Sequence, residues 1–295
     1  MALRSEVRCR CRAKLNLVLD IIGKRADGYH EIATVMHSVD LADDVVVRSA
    51  EPGIRLSTSG IPSPEGSENI AFRAAERSCE AFGVEPAVEI DLHKRIPSEA
   101  GLAGGSADAA GVLLGLSALH GWSAGDERLA SVARELGADI PFFLGEGAGL
   151  AEGIGERLTP LPSADIPVVL ALCKLGVSTG WAYANVGPEH YMDGTRASRA
   201  ALELLRRGTI SEVGNAFVPA LAPDRPDLTE MIARLQELTG GLAGMTGSGA
   251  CCFALPASQA DARAAAEKLA SAGFWSWAGR SATRPVTIEG RDCGA

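Results

Sequence analysis

The stretch EAGLAGGSADAAG, Glu99 to Gly111, decides how the rest of the chain is read. It packs four glycines among small residues, directly before an apolar run at helical spacing from Ala107 to Leu119 that stops at His120-Gly121. No Gly-Lys-Ser/Thr follows, so it is not the usual phosphate loop, and its glycines do not read Gly-x-Gly-x-x-Gly. Backbone amides at a helix N-terminus lack intrahelical partners, and the helix dipole adds about half a positive charge there. That combination holds a phosphate without a lysine. Ser106 adds a hydroxyl, and Asp108 falls in the expected first turn, where the dipole favours a carboxylate. From this loop alone, a phosphate cradle and a turn that merely lets helix and strand pack closely are equally good readings.

Outward from the loop, the chain reads as mixed α and β. Upstream, Val7 to Leu19 places apolar residues at every odd position, with Arg8, Arg10, Arg12, Lys14 and Asn16 between them. Strict alternation predicts a half-buried strand with a basic outward face. Asp27-Gly28 marks a turn, DDVVVRS and GIRLSTS are short strands, and Asn69 or Ser67 caps a helix that ends at Gly83. AVEIDLHKRI is a further strand. Downstream, Asp126 to Leu136 is a helix stopped by Gly137, and a glycine-rich return leads to TPLPSADIP near 159–167, the expected domain boundary. Beyond it come a strand at Val168–Cys173, helices near Trp181–Val186, Ser198–Arg207 and Leu228–Leu238, a strand at Ala250–Leu255, a helix at Ser258–Ala272 and a strand near Pro285–Glu289. Strands and helices do not alternate regularly, which favours α+β over a doubly wound parallel sheet.

The bulk properties narrow the function. A length of 295 residues suits two domains, and 46% hydrophobic with 22% charged residues is ordinary for a soluble globular protein. A net charge of −9 disfavours nucleic acid and anionic membrane surfaces. Seven cysteines (Cys9, Cys11, Cys79, Cys173, Cys251, Cys252, Cys293), with no Cys-x-x-Cys, argue against a disulfide framework or zinc ribbon and fit a reducing cytoplasm. No apolar leader or membrane-length segment is expected. The histidines have no metal-ligand spacing, so no protein metal site is expected.

Two more motifs settle the opening question: GMTGSGACCFAL at Gly244–Leu255 and AKLNLVLDIIGKRADGYHEI at 13–32. With LGADIPFFL (136–144) and AEGIGE (151–156), in this order and along essentially the whole length, the chain resembles the GHMP kinases (galacto-, homoserine, mevalonate and phosphomevalonate kinases). The resemblance implies a two-domain GHMP kinase fold: an ATP-binding, ribosomal-S5-like domain over 1–160, and a ferredoxin-like domain over 161–295 that contributes to substrate binding. It implies ATP, with Mg²⁺ arriving on the nucleotide, and a cytidine-diphosphate-linked methylerythritol as phosphoryl acceptor. The rivals are a homoserine- or mevalonate-type kinase and a catalytically silent ligand-binding member of the fold. The chain is expected to act as a monomer or homodimer, away from membranes.

The resemblance also assigns residues. Lys14, otherwise one more member of the basic stripe, is implied to lie buried in the cleft. Asp139, otherwise a turn carboxylate, is implied to hydrogen-bond Lys14 and the acceptor hydroxyl. Pro97, Gly101, Leu102, Ala103, Gly104, Gly105, Ser106 and Ala107 are implied to wrap the triphosphate, with Asn69 and Lys94 near adenine and ribose. The plain alternatives for those last two are a helix cap and a surface lysine. Asn16 shares the strand face of Lys14 and is a substrate ligand. Tyr29 and His30 shape a cytidine pocket closed by Thr179 and Tyr183, with His30 reading or stacking on the base and Tyr183 on its opposite face. Gly247, Ser248 and Gly249 position phosphate and substrate. Family loops carry glycine and serine where this chain has Ala103 and Ala107, and Ala103 is expected to keep ordinary backbone angles.

Overall fold

The structure is a computed structural model describing residues 5–289; Cys293 lies outside the described residues. The first strand, β1 (Glu6–Lys24), is longer than its alternation predicts. In-out alternation holds only to Arg12; from Ala13 to Ile21 both faces are buried. β2 (His30–Ser49) pairs with it antiparallel along nearly its whole length. Only the end of β2 was expected as a strand, because Ile32–Val39 is buried on both faces and carries no period-two signal.

The first half continues with β3 (Gly53–Gly60), α1 (Ile70–Phe82), β4 (Ala87–Lys94), α2 (Gly104–His120), α3 (Glu127–Leu136), α4 (Ile140–Phe143), β5 (Ala148–Gly153) and β6 (Arg157–Leu161). The second half holds β7 (Pro167–Leu172), α5 (Thr179–Ala184), α6 (Thr195–Arg207), β8 (Gly214–Asn215), α7 (Phe217–Leu221), α8 (Pro226–Thr239), β9 (Leu242–Met245), β10 (Cys251–Leu255), α9 (Gln259–Ser271), β11 (Ser276–Arg280) and β12 (Val286–Ile288). The glycine-rich return therefore forms α4 and a β5–β6 hairpin, and β8, β9, β11 and α7 are further additions to the expected elements. Capping went as read: the Asn69 side chain accepts the Ala71 amide at α1, and Gly83 ends that helix with φ 66°.

The strands form two sheets. The larger has the order β12-β1-β2-β4-β3, with β5–β6 attached to β2 and β8 to β1; the smaller reads β11-β7-β10-β9. Two strands from beyond residue 161, β8 and β12, thus join the larger sheet. Helix α2 lies against β1 and β2 at Gly111 and Gly115, where an added Cβ would come within 2.2 Å of Cys11 Sγ and 2.8 Å of Val47 Cγ2. This close approach gives Cys9 and Cys11 their role as small apolar packing residues. Burial pushes the Cys9 thiol up to about 12, far from a reactive thiolate. Farther along β1, Leu15 and Leu17 pack in a core with Ala200 and Leu204 of α6 and with Phe253 of the smaller sheet. Each such apolar side chain stabilises by about 1.5–3 kcal/mol when fully buried. Among the described residues, no helix is long and apolar enough to cross a membrane.

Candidate active site

A cavity of about 870 Å³ opens where β1, the start of α2, α4, α5 and the β9–β10 loop converge. Helix α2 begins at Gly104, three residues before its expected start, so the glycines are its first turn. Asp108 consequently falls in the second turn, correcting its expected place in the first. The first backbone hydrogen bond of the helix runs from the Ala107 amide to the Ala103 carbonyl, 3.0 Å. The amides of Gly104, Gly105 and Ser106 precede it and face the cavity. Ala103 sits at φ 55°, ψ 36°, which corrects the expectation of ordinary backbone angles. Leu102 and Ala107 are fully buried in the core and do not line the cavity. A serine hydroxyl at 107 would have faced the core, so Ala107 removes no phosphate contact.

The two glycine loops touch backbone to backbone. A Cβ on Gly101 (φ 73°) would lie 2.2 Å from the Thr246 carbonyl oxygen, and one on Gly247 (φ 56°) 2.9 Å from Gly101 Cα. Only glycine permits both the left-handed backbone and this approach. Asn16 fastens the junction: its Oδ1 accepts from Lys14 Nζ at 2.6 Å and the Gly247 amide at 2.9 Å, and its Nδ2 donates to Thr34 at 2.8 Å. Thr246 adds a bond from the Asn16 amide, 2.9 Å. Asn215 donates to the carbonyls of Met245 and Gly247 at 2.9 and 2.8 Å. Thr34, Thr246 and Asn215 were not anticipated; Thr34 and Asn215 leave only the trace of single polar residues in strands, and Thr246 sits inside the second glycine motif.

Lys14 is buried, not part of a solvated stripe. Its ammonium donates to Asn16 and, at 3.0 Å, to the Gly101 carbonyl, leaving one of three protons for the cavity. Burial lowers its pKa, and the nearby Asp139 carboxylate opposes that shift. Asp139 lines the same cavity at the N-cap of α4 but makes no capping bond. Among the described residues it forms no ion pair within 4.0 Å, so the expected Lys14–Asp139 hydrogen bond is not formed. Its charge also reaches Tyr183, whose hydroxyl is pushed up to about 12 by burial and by Asp139.

Lys94 lines the cavity and is not a surface lysine. It lies 5% exposed between two buried carboxylates, bonded to Asp43 and, at 2.6 Å, to Asp108. Asp43 also accepts the Arg95 and Ile96 amides at 2.5 and 2.8 Å. Burial depresses an ammonium, but the two carboxylates outweigh it and hold Lys94 above its ordinary range. Burial pushes Asp108 well up, and its Oδ1 has no partner. A Cβ at Gly104 would lie 3.2 Å from Lys94 Nζ, so this cluster sits directly beneath the amides of the glycine helix. Asn69 spends its side chain on the α1 cap and on the Pro64 carbonyl, 2.8 Å, and does not line the cavity.

At the other end of the cavity, His30 and Tyr183 stack on each other with ring centroids 4.9 Å apart and planes at 22°. A base inserted between them would need about 7 Å, two contact distances. The two rings, as placed, leave no space for a base between them. His30 Nε2 is buried and without a partner, an open hydrogen-bonding atom. Tyr29, 62% exposed, stands at the rim. Thr179 meets Ser248, their hydroxyl oxygens 3.2 Å apart, and Pro97 and Gly249 complete the lining. The Ser106 hydroxyl and the Asp139 carboxylate, uncommitted oxygen donors in the cavity, suit a Mg²⁺ held chiefly by phosphates and water.

Residues 69–147 match the family described as GHMP kinases N terminal domain, and residues 201–274 that described as GHMP kinases C terminal. The 4-diphosphocytidyl-2-C-methyl-D-erythritol kinase of Citrifermentans bemidjiense is 39% identical over 269 residues, covering 89% of this chain and 94% of that one. The enzyme of the same name from Acetivibrio thermocellus is 46% identical over 178 residues, covering 60% of this chain and 63% of that one. A crystal structure of 4-(cytidine 5′-diphospho)-2C-methyl-D-erythritol kinase superposes with a TM-score of 0.82 at 40% identity, covering 93% of this chain and 98% of that one. With glycine helix, lysine and carboxylate in one cleft and both halves matched, the chain belongs to the GHMP kinases, in the family of 4-diphosphocytidyl-2-C-methyl-D-erythritol kinases.

Proposed function

We propose that the chain transfers the γ-phosphoryl of ATP to the 2-hydroxyl of 4-diphosphocytidyl-2-C-methyl-D-erythritol. The supporting observation is one cleft holding Lys14, Asp139 and the free amides of Gly104–Ser106 at one end and the unpartnered His30 Nε2 beside Tyr183 at the other. The triphosphate rests on those amides and on the Ser106 hydroxyl. Mg²⁺, when bound with the nucleotide, neutralises charge on its phosphate oxygens. The remaining ammonium proton of Lys14 points at the transferring group, where a fixed positive charge in a dry site is worth most as negative charge develops. Asp139 accepts the hydrogen bond of the acceptor hydroxyl, orients it in line and takes up its proton as transfer proceeds. His30 reads the polar edge of the cytosine, with Tyr29 and Tyr183 flanking it, while Gly247–Gly249 and Thr179 hold the diphosphate arm. The division follows the chain: 1–160 carries the nucleotide, and 161–295 contributes to the acceptor. The six described cysteines are free and buried, which suits a reducing cytoplasm.

The test is ADP release with ATP, Mg²⁺ and 4-diphosphocytidyl-2-C-methyl-D-erythritol, run beside mevalonate and homoserine. Turnover is expected with the cytidine compound alone, and Asp139→Asn or Lys14→Ala should lower kcat about 100-fold or more. A folded, ATP-binding protein that leaves the cytidine compound unphosphorylated would sink the reading.

A further inference from the structure

The basic face of β1 is only partly accounted for by the kinase cleft, which takes Lys14 and leaves the arginines before it. Arg12, two residues earlier, lines a second cleft of about 550 Å³. Its walls come from both halves of the molecule: Asp40 of β2, Arg263 of α9, Arg280 at the end of β11, and the segment 281–287 with Arg284. Four arginines and one carboxylate therefore converge in a chain whose net charge is −9.

The existing partners leave much of that charge available. Arg12 donates to Asp40 at 3.0 Å, to the Arg284 carbonyl at 3.2 Å and to Thr287 at 3.1 Å, using Nε and Nη1 but not Nη2. Arg280 pairs with Asp165 at 2.5 Å and Arg284 with Glu146 at 2.9 Å. The side chains of Asp40, Asp165 and Glu146 are 50%, 76% and 49% exposed, so these are weak, screened pairs. Each guanidinium offers five N–H donors, and none of the three is saturated. Arg263 is exposed and has no ion pair or hydrogen bond among the described residues. The amides of Thr283 and Arg284, at the same rim, also donate to no described group.

We infer that this cleft binds a multivalent phosphate-type oxyanion, either a free phosphate or diphosphate ion or the diphosphate end of a small metabolite. Guanidinium groups match such oxygens with paired donors, and four of them around one concavity suit an anion carrying more than one charge. The site bridges β1 and β2 of the larger sheet to α9 and β11 beyond the boundary, two residues along β1 from Lys14.

Calorimetric titration tests this with the full chain in a metal-free buffer, run in parallel on the wild type and on variants of the second cleft, so that heat from any binding in the kinase cleft is common to all of them. The probes are inorganic phosphate, inorganic pyrophosphate and methyl diphosphate. Saturable binding of at least one is expected, weakened about tenfold or more in Arg263→Ala/Arg284→Ala and falling steeply with added salt. Kinase kcat and KM should stay within about twofold, since neither arginine lines the kinase cleft. The single variant Arg263→Ala, which removes only an exposed and unpaired side chain, guards against a folding artefact. Preference for the inorganic ions assigns a free anion, and preference for methyl diphosphate assigns a metabolite; both support the site. No saturable binding of any probe, or binding unchanged in both variants, overturns it.

Discussion

The glycine turn and helix start at Gly101–Ser106 and the loop at Gly247–Gly249 line one cleft and touch backbone to backbone at Gly101, yet they are mounted on different chemistry. The first rests on buried charge: Lys94 of β4 is tied to β2 through Asp43 and to α2 through Asp108. The second is mounted on neutral donors and acceptors, with Asn215, Asn16 and Thr246 satisfying its carbonyls and amide. A charged mount fixes geometry strongly but fails badly when one member is lost, because the others are left buried and unpaired. A neutral mount fails by one hydrogen bond at a time. The loop proposed to carry the triphosphate is the one held by an ion cluster.

The sharpest way to break this contrast is Lys94→Met. It leaves Asp43 and Asp108 facing each other without a cation and should cost about 3–5 kcal/mol in urea unfolding. A loss under about 1 kcal/mol would mean the cluster is not the mount. Asp108→Asn is the gentler counterpart, and its pH dependence carries a sign. The folded pKa of Asp108 lies above the unfolded value near 3.8, so its stabilisation is full below that value and fades as pH rises through the folded pKa. The stability of the wild type relative to Asp108→Asn should therefore fall as pH rises above about 4; a rise would reverse the assignment.

Gly101→Ala attacks the contact that both mounts share. The added methyl meets the Thr246 carbonyl at 2.2 Å and a left-handed backbone, together about 3 kcal/mol. Kinase activity should fall with it, because Lys14 and Thr246 both bond the Gly101 carbonyl. Unchanged unfolding and turnover would mean that the two loops are free to separate.

What the sequence made legible follows the same physical line. The glycine loops were readable from their composition, and Lys14 and Asp139 only through the family resemblance; all line one cavity. The amphipathic elements α1, α3 and β4 were readable because one face meets water. The middle of β1 and most of β2 lost their pattern because both faces are covered, and Lys14 and Asn16 looked like solvated polar residues for that reason. Asp43, Asp108 and Asn215 are long-range partners: Lys94 lies 51 residues from Asp43, and Asn215 lies 32 from Gly247. Periodicity within a window cannot register such pairs.

On the neutral side, Asn215→Ala strands two buried carbonyls and should cost about 2 kcal/mol. It should raise KM for the cytidine substrate more than for ATP, because the loop it steadies lies opposite the glycine helix. Equal effects on both KM values would show that the loops move as one body and would erase the contrast drawn above.

The smallest effect belongs to Ala103, and it has the opposite sign. At φ 55° an alanine is held in the left-handed region, where an L side chain costs roughly 1–2 kcal/mol. Glycine removes that strain but loses about 0.5–1 kcal/mol through its freer unfolded chain. Ala103→Gly should therefore stabilise by at most about 1.5 kcal/mol, read as a small rise in the urea midpoint at constant slope. Its KM for ATP tells whether strain in the turn serves the site. An unchanged value makes the alanine a tolerated cost on a loop already fixed by Lys94. A weaker affinity would mean that the methyl group stiffens the glycine helix where the ion cluster does not reach.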